Sequence, residues 1–245
     1  MKSEKSFLDS LRQLGTETYI EGERVAVPVD HPLARPSANS IATTYRLAET
    51  GDHAATMTAK SHITGRTINR FTHIQRDVRD LVAKVEMLRL MGQKTASCFQ
   101  RCAGLDGMNA VYAVTHDMDA ALGTDYHRRF TEFLVRVQEE DLVVAAAMTD
   151  PKGNRALPPH QQPDPGQFLR IVDETPQGIV IQGAKMHITG CTNSHYIMVM
   201  PTRALKADDS DFAVVGAVPM NQPGVKVIYG RQSADTRRAE FGGRD

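Results

Sequence analysis

Apolar residues change their spacing partway along the chain. Up to about residue 140 they recur at helical intervals, and beyond it they gather in short runs between turn residues. Phe7, Leu8, Leu11 and Leu14 form an i, i+1, i+4, i+7 stripe, and Gly15 can stop that helix. Residues 16–60 are mixed, with Asp30-His31-Pro32 and Arg35-Pro36-Ser37 as breakers. Asp77 to Met91 reads as a helix with Val78, Leu81, Val82, Val85 and Leu88 on one face and Gly92 after it. A short helix is expected around Ala96 to Ala103. Met108 to Leu122 places Val111, Val114, Met118 and Leu122 in helical register before Gly123, and Tyr126 to Glu140 repeats the pattern with Phe130, Phe133, Leu134 and Val137.

From Asp141 the apolar runs are Leu142–Ala147, Phe168–Val172, Ile179–Gln182, Tyr196–Met200, Phe212–Val218 and Val225–Tyr229. Between them lie Asp150-Pro151-Lys152-Gly153, Thr175-Pro176-Gln177-Gly178 and Gln222-Pro223-Gly224. Short strands at this spacing predict a β-sandwich or barrel. The expected organisation is a helical N-terminal domain over residues 1–140, then a β domain over residues 141–245 that is incomplete.

Composition narrows the function classes. The 245 residues are 41% hydrophobic and 24% charged, a globular balance. The 29 basic and 29 acidic residues cancel, which gives no electrostatic case for nucleic acid or an anionic membrane as partner. No secretory signal and no run near the ~18 apolar residues of a membrane helix is present, so a cytoplasmic location is expected. Three cysteines without an export signal point to free, catalytic or metal-ligating thiols.

Four segments could carry chemistry. Met148-Thr149-Asp150-Pro151-Lys152-Gly153-Asn154-Arg155 leaves a strand and offers a hydroxyl, a carboxylate, an amide and two cations. Such a loop suits a phosphate or polar heterocycle, or is a plain turn. In Lys185-Met186-His187-Ile188-Thr189 the polar residues alternate, and period two would put Lys185, His187 and Thr189 on one sheet face, lining a cofactor or facing solvent. Cys98 and Cys102, four apart on the expected helix, would share a face and supply half of a zinc or iron–sulfur site, or form an inert buried pair. His73, in Asn69-Arg70-Phe71-Thr72-His73, is a candidate base or a structural histidine.

Longer stretches resemble a known family. Asn39-Ser40-Ile41-Ala42-Thr43-Thr44-Tyr45, Ile68 to His73, Gly92-Gln93-Lys94-Thr95-Ala96-Ser97-Cys98-Phe99-Gln100-Arg101-Cys102, Gly123-Thr124-Asp125-Tyr126-His127, Val137 to Leu142 and Tyr229-Gly230-Arg231-Gln232-Ser233 are similar to the N-terminal half of the 4-hydroxybutyryl-CoA dehydratases. These share a wider family with the 4-hydroxyphenylacetate 3-hydroxylase oxygenase components. The resemblance runs from about Tyr19 to Asp245, and the cysteines favour the dehydratase branch.

The resemblance implies an α+β multidomain chain of acyl-CoA-dehydrogenase-like fold, with helical, β and helical domains in order, the last absent here. It implies FAD and a [4Fe–4S] cluster acting on a 4-hydroxyacyl-CoA, whose C3–H bond is unactivated, with iron as Lewis acid toward the leaving hydroxyl. It also implies vinylacetyl-CoA isomerisation to crotonyl-CoA. Cys98 and Cys102 would be cluster ligands. Met148, Thr149, Asp150, Lys152, Asn154, Arg155, His187 and Thr189 would meet FAD, with Thr189 also near substrate. Members of the family are homotetramers about twice as long, whose other cluster ligands, a His and a Cys, lie in the C-terminal domain.

Departures follow. After Asp235-Thr236-Arg237 the chain runs through Glu240 into Phe241-Gly242-Gly243-Arg244-Asp245 without the family's intervening acidic, glycine-rich stretch. A functional Glu of the family falls at Asp245. Cys191 matches no ligand. The chain is expected to be a fragment, a split subunit awaiting a C-terminal partner, or a non-catalytic remnant, and to hold no stable cluster alone. An FAD-dependent aromatic hydroxylase is the alternative activity.

Overall fold

The computed structural model describes residues 1–49 and 51–230. Helix α1, Glu4–Arg12, opens on a capping box between Ser3 and Ser6 and buries Phe7 and Leu11. A hairpin follows, β1 (Glu17–Ile20) and β2 (Glu23–Val25), turned by Glu21 and Gly22 at positive φ. Arg35-Pro36-Ser37 does not break a helix but starts α2, Arg35–Glu49. Proline is tolerated in a first turn because that N–H has no helical partner. Ala38, Ile41, Ala42 and Tyr45 of α2 close on Phe7 and Val143, with Phe7 stacked on Tyr45 at 4.6 Å.

Next come α3 (Gly51–Met57) and the hairpin β3 (Thr58–Lys60) and β4 (Thr67–Asn69). Helix α4, Val78–Thr95, is capped by Asp77, whose carboxylate accepts the Arg79 and Asp80 N–H groups. It passes through Gly92 and ends where Ala96 turns left-handed at φ 49°. Its buried residues are Met87 and Met91. Most of the expected core face instead points outward: Val78, Leu81, Val82 and Val85 are 72, 47, 52 and 61% exposed, and of that face only Leu88 packs with Met87 and Met91.

The short helix expected at Ala96–Ala103 does not form. Residues 97–101 are irregular, and α5 starts at Cys102 and runs unbroken to Leu122. Gly104 lets α5 press onto the sheet, since a Cβ there would lie 1.8 Å from the Val144 carbonyl oxygen. Helix α6, Tyr126–Glu139, buries Leu134 and Val137 against α5 and that sheet.

Asp141, buried at φ 46°, turns the chain into β5, Val144–Ala147. Strands β6 (Arg170–Thr175) and β7 (Gly178–Gln182) form a bulged hairpin. Strand β8 (Tyr196–Val199) lies between β5, parallel, and β9 (Gly216–Pro219), antiparallel. Leu169, Ile171 and Ile181 pack the hairpin against Ala147 and Val199. Strand β10, Lys226–Tyr229, does not join those strands. It pairs in parallel with β1, Glu17 opposite Lys226, so sheet pairing links the first strand to the last one described. The division between a helical first half and a β second half is therefore crossed by four early strands and one shared sheet. Among the described residues no helix is long and apolar enough to cross a membrane.

Candidate functional site

The two polar segments singled out in the sequence meet beyond the end of β5. The Met186 N–H donates to the Thr149 carbonyl at 2.9 Å. The Lys185 ammonium donates to Asp150 Oδ1 at 2.6 Å, to the Met148 carbonyl at 3.0 Å and to the Met200 carbonyl at 2.8 Å. An ammonium has three N–H donors, so Lys185 is fully committed. It neutralises Asp150 and ties the loop to β8, which makes it a strut rather than a free cation.

The alternating row does not form. His187 is left-handed at φ 57° and Thr189 lies in a turn, so period two fails after Met186. His187 and Thr189 are exposed. Met148 and Met186 are 48 and 40% exposed, and the exposed Thr149 hydroxyl makes no hydrogen bond among the described residues. Apolar side chains beside a free hydroxyl and exposed loop backbone fit one face of a flavin ring.

Lys152, Asn154 and Arg155 lie on the adjacent loop, all exposed. Its shape is set by Gln162, 7% exposed, whose amide accepts the Asn154 N–H and donates to the Asn154 and Leu157 carbonyls. Gly153 leaves room for that amide, since a Cβ there would lie 2.3 Å from Gln162 Oε1 and would displace it. The Asn154 side chain is occupied in its own turn, accepting the Ala156 N–H.

The thiols stand on different elements. Cys98 is exposed in the loop before α5, and Cys102 is the first residue of α5, so they do not share a helix face. They remain neighbours. Burial pushes the Cys102 thiol above its ordinary pKa, and the charge of Cys98 pushes in the same direction. Arg101, between them, is 3% exposed. Its guanidinium lies over the rings of Tyr45 (4.7 Å) and Phe71 (5.1 Å), donates to Thr44 Oγ1 at 2.9 Å and faces Asp141 Oδ1 at 3.5 Å.

A strap joins this thiol loop to the end of the 185–189 segment. Ser40 Oγ donates to the Cys98 carbonyl at 3.0 Å. Ser37 Oγ donates to Gln100 Oε1 at 2.5 Å and accepts from Asn193 Nδ2 at 3.0 Å. Gly190, at φ 79°, passes so close to Gln100 that a Cβ there would lie 2.8 Å from Gln100 Cβ. The thiol loop and the turn at Gly190–Asn193 are thus in contact. Ser37, Gln100 and Asn193 are not legible as site residues, because each acts through a partner distant in sequence, and Gln162 is not because no local pattern marks a loop-filling amide.

His73 is 4% exposed and lies against α4, its Nε2 3.1 Å from Asp80 Oδ2 but without hydrogen-bond alignment. It belongs to neither segment. Asp245 and the motif from Arg231 onward lie outside the described residues. Among the described residues no group of three His, Cys, Asp or Glu side chains can hold a metal. A [4Fe–4S] cluster takes four ligands, so the two thiols do not fit it by themselves.

Known proteins match this chain closely. Residues 3–243 match the family described as 4-hydroxyphenylacetate 3-hydroxylase N terminal. The 4-hydroxybutyryl-CoA dehydratase/vinylacetyl-CoA-Delta-isomerase of Clostridium aminobutyricum is 51% identical over 238 residues, 97% of this chain and 49% of the relative. The solved oxygen-tolerant archaeal 4-hydroxybutyryl-CoA dehydratase from N. maritimus superposes with TM-score 0.93 at 49% identity, over 97% of this chain and 47% of that one. An oxygenase component of 4-hydroxyphenylacetate 3-monooxygenase, solved with FAD, shares the fold at TM-score 0.77 and 22% identity, over 94% of this chain and 47% of that one. The chain spans about half the length of the relatives it matches. It belongs to the 4-hydroxyphenylacetate 3-hydroxylase N-terminal family, on the side of its 4-hydroxybutyryl-CoA dehydratase relatives.

Proposed function

We propose that this chain supplies the N-terminal half of an enzyme that dehydrates 4-hydroxybutyryl-CoA to crotonyl-CoA and isomerises vinylacetyl-CoA. The observation that supports this reading is the strap through Gln100, Ser37 and Asn193, which ties the loop of Cys98 to the turn that follows the 185–189 segment. The identity of 51% to a dehydratase supports the same choice. A hydroxylase using FAD and oxygen has no need of two neighbouring cysteines.

In this reading Met148, Thr149 and Met186 hold one side of FAD, which supplies reversible electron-acceptor chemistry when bound. The Thr149 hydroxyl orients the ring, the methionines exclude water from it, and Lys185 keeps Asp150 neutralised beside it. Thr189 and His187 stand at the exposed edge, toward the acyl-CoA. Cys98 and Cys102 are two ligands of a cluster whose others come from polypeptide equivalent to the second half of the relatives. The reading includes an acyl-CoA-dehydrogenase-like architecture with a division near Asp141, a cytoplasmic tetramer, and a role for Asp245 at the same site.

Anaerobic assay of the chain, supplied with FAD and with the second half of the Clostridium aminobutyricum relative, tests the reading. Crotonyl-CoA from 4-hydroxybutyryl-CoA supports it. Oxygen-dependent phenol hydroxylation with no crotonyl-CoA overturns it.

A further inference from the structure

Helix α4 is apolar on two opposite sides. Met87 and Met91 face the interior. Half a turn of the wheel away, Val78, Leu81, Val82 and Val85 follow i, i+3, i+4, i+7 and stand 47–72% exposed. Exposed Arg79, Glu86 and Arg89 border them. A helix with a single buried side carries polar residues opposite it, and a helix apolar on both is covered on both. Four large aliphatic residues in one contiguous stripe, rimmed by charge, form an interaction surface rather than scattered exposure.

The relatives say what polypeptide is available to cover it. This chain aligns over 97% of its own length but over only 49% of the dehydratase, so about half of the relative lies outside the matched region. We infer that the stripe Val78–Leu81–Val82–Val85 is the docking face for polypeptide equivalent to that second half. The inference rests on the proposed dehydratase reading and adds to it the surface through which the enzyme is completed. It also gives the Cys98 loop a reason to lie where it does, since the loop follows α4 directly and docking along α4 brings the missing ligands toward the thiols.

The test titrates the purified chain with the purified second half of the Clostridium aminobutyricum dehydratase and follows amide hydrogen exchange over residues 78–86. The expected result is a complex in which exchange there slows about tenfold or more. Val82→Glu should weaken the complex about tenfold or more while leaving the melting of the free chain unchanged, and Val180→Glu, on the exposed β6–β7 hairpin, should change affinity less than about twofold. Binding without protection of α4, binding unaffected by Val82→Glu, or no binding overturns the inference. So does self-association of the chain abolished by Val82→Glu, because the occupant is then a second copy. Crotonyl-CoA formation separates the two ideas: an active complex with unprotected α4 removes the docking face alone, and a complex protected at α4 but inactive removes the dehydratase reading alone.

Discussion

Removing the guanidinium of Arg101 tests how the thiol loop is anchored. Arg101 and Asp141 are 3 and 1% exposed, at 3.5 Å from each other. Burial raises the Asp141 pKa, and the opposing pull of Arg101 does not fully offset it. Desolvation therefore exceeds attraction, and the pair is a weak source of stability as a pair. Breaking it is another matter. Arg101→Met leaves the Asp141 carboxylate buried, with the Lys2 N–H at 3.2 Å as a remaining donor, and strips Tyr45 and Phe71 of a stacked cation. The expected cost is about 3–5 kcal/mol. Adding Asp141→Asn removes the stranded charge and should recover about 1–3 kcal/mol of that loss. A carboxyl whose folded pKa is raised destabilises above that pKa and ceases to do so below its unfolded value, so the Arg101→Met penalty should shrink between about pH 7.5 and about pH 5. Urea midpoints of the three variants at both pH values decide it. A double variant no more stable than Arg101→Met, or a penalty that grows on acidification, would refute this reasoning.

Further outcomes are expected elsewhere. His195 is buried, accepts the Val143 N–H at Nδ1 and meets Ser10 Oγ through Nε2; burial lowers its pKa from 6.5 to about 3. A histidine held neutral stabilises fully above its unfolded pKa and loses that contribution on acidification, so stability should fall by about 2 kcal/mol between pH 6.5 and about pH 5, and His195→Gln should flatten that slope in denaturant titrations. Gly104→Ala places a methyl on the Val144 carbonyl and should cost about 4 kcal/mol or more, seen as loss of soluble, cooperatively melting protein. Lys185→Met strands Asp150 and two carbonyls; a loss of about 2–3 kcal/mol and weaker quenching of FAD fluorescence are expected, whereas Thr149→Val should weaken the flavin and leave the melt unchanged. Alkylation read by peptide mass spectrometry should reach the exposed Cys98 before Cys102 and Cys191, whose thiols burial raises.

Local rules read well where one element decides the outcome. The α4 and α6 helices, and short strands near most of the later apolar runs, follow from periodicity, because side chains at i, i+3 and i+4 or at alternating positions share a face. Periodicity alone does not say which side of the molecule that face meets. The α4 stripe is as regular as a core stripe and points outward, and only the fold exposes Met87 and Met91 as the inward residues. The Cys98–Cys102 spacing looks helical because the thiols are four positions apart; the left-handed residues Ala96 and Gln100 break the segment in ways no composition signals. The Lys185–Thr189 alternation fails for the same reason at His187. Contacts such as Ser37 to Asn193 and β1 to β10 join positions more than a hundred residues apart, and nothing local marks them.

Iron and acid-labile sulfide, measured after anaerobic reconstitution, test most directly the claim that this chain brings two thiols to a divided site. The chain alone should fall short of one complete four-iron cluster. With the second half of the dehydratase relative it should reach about four iron and four sulfide per pair, and Cys98→Ser with Cys102→Ser should abolish that content. Four iron bound by the chain alone, or a full cluster retained in the double serine variant, would contradict it.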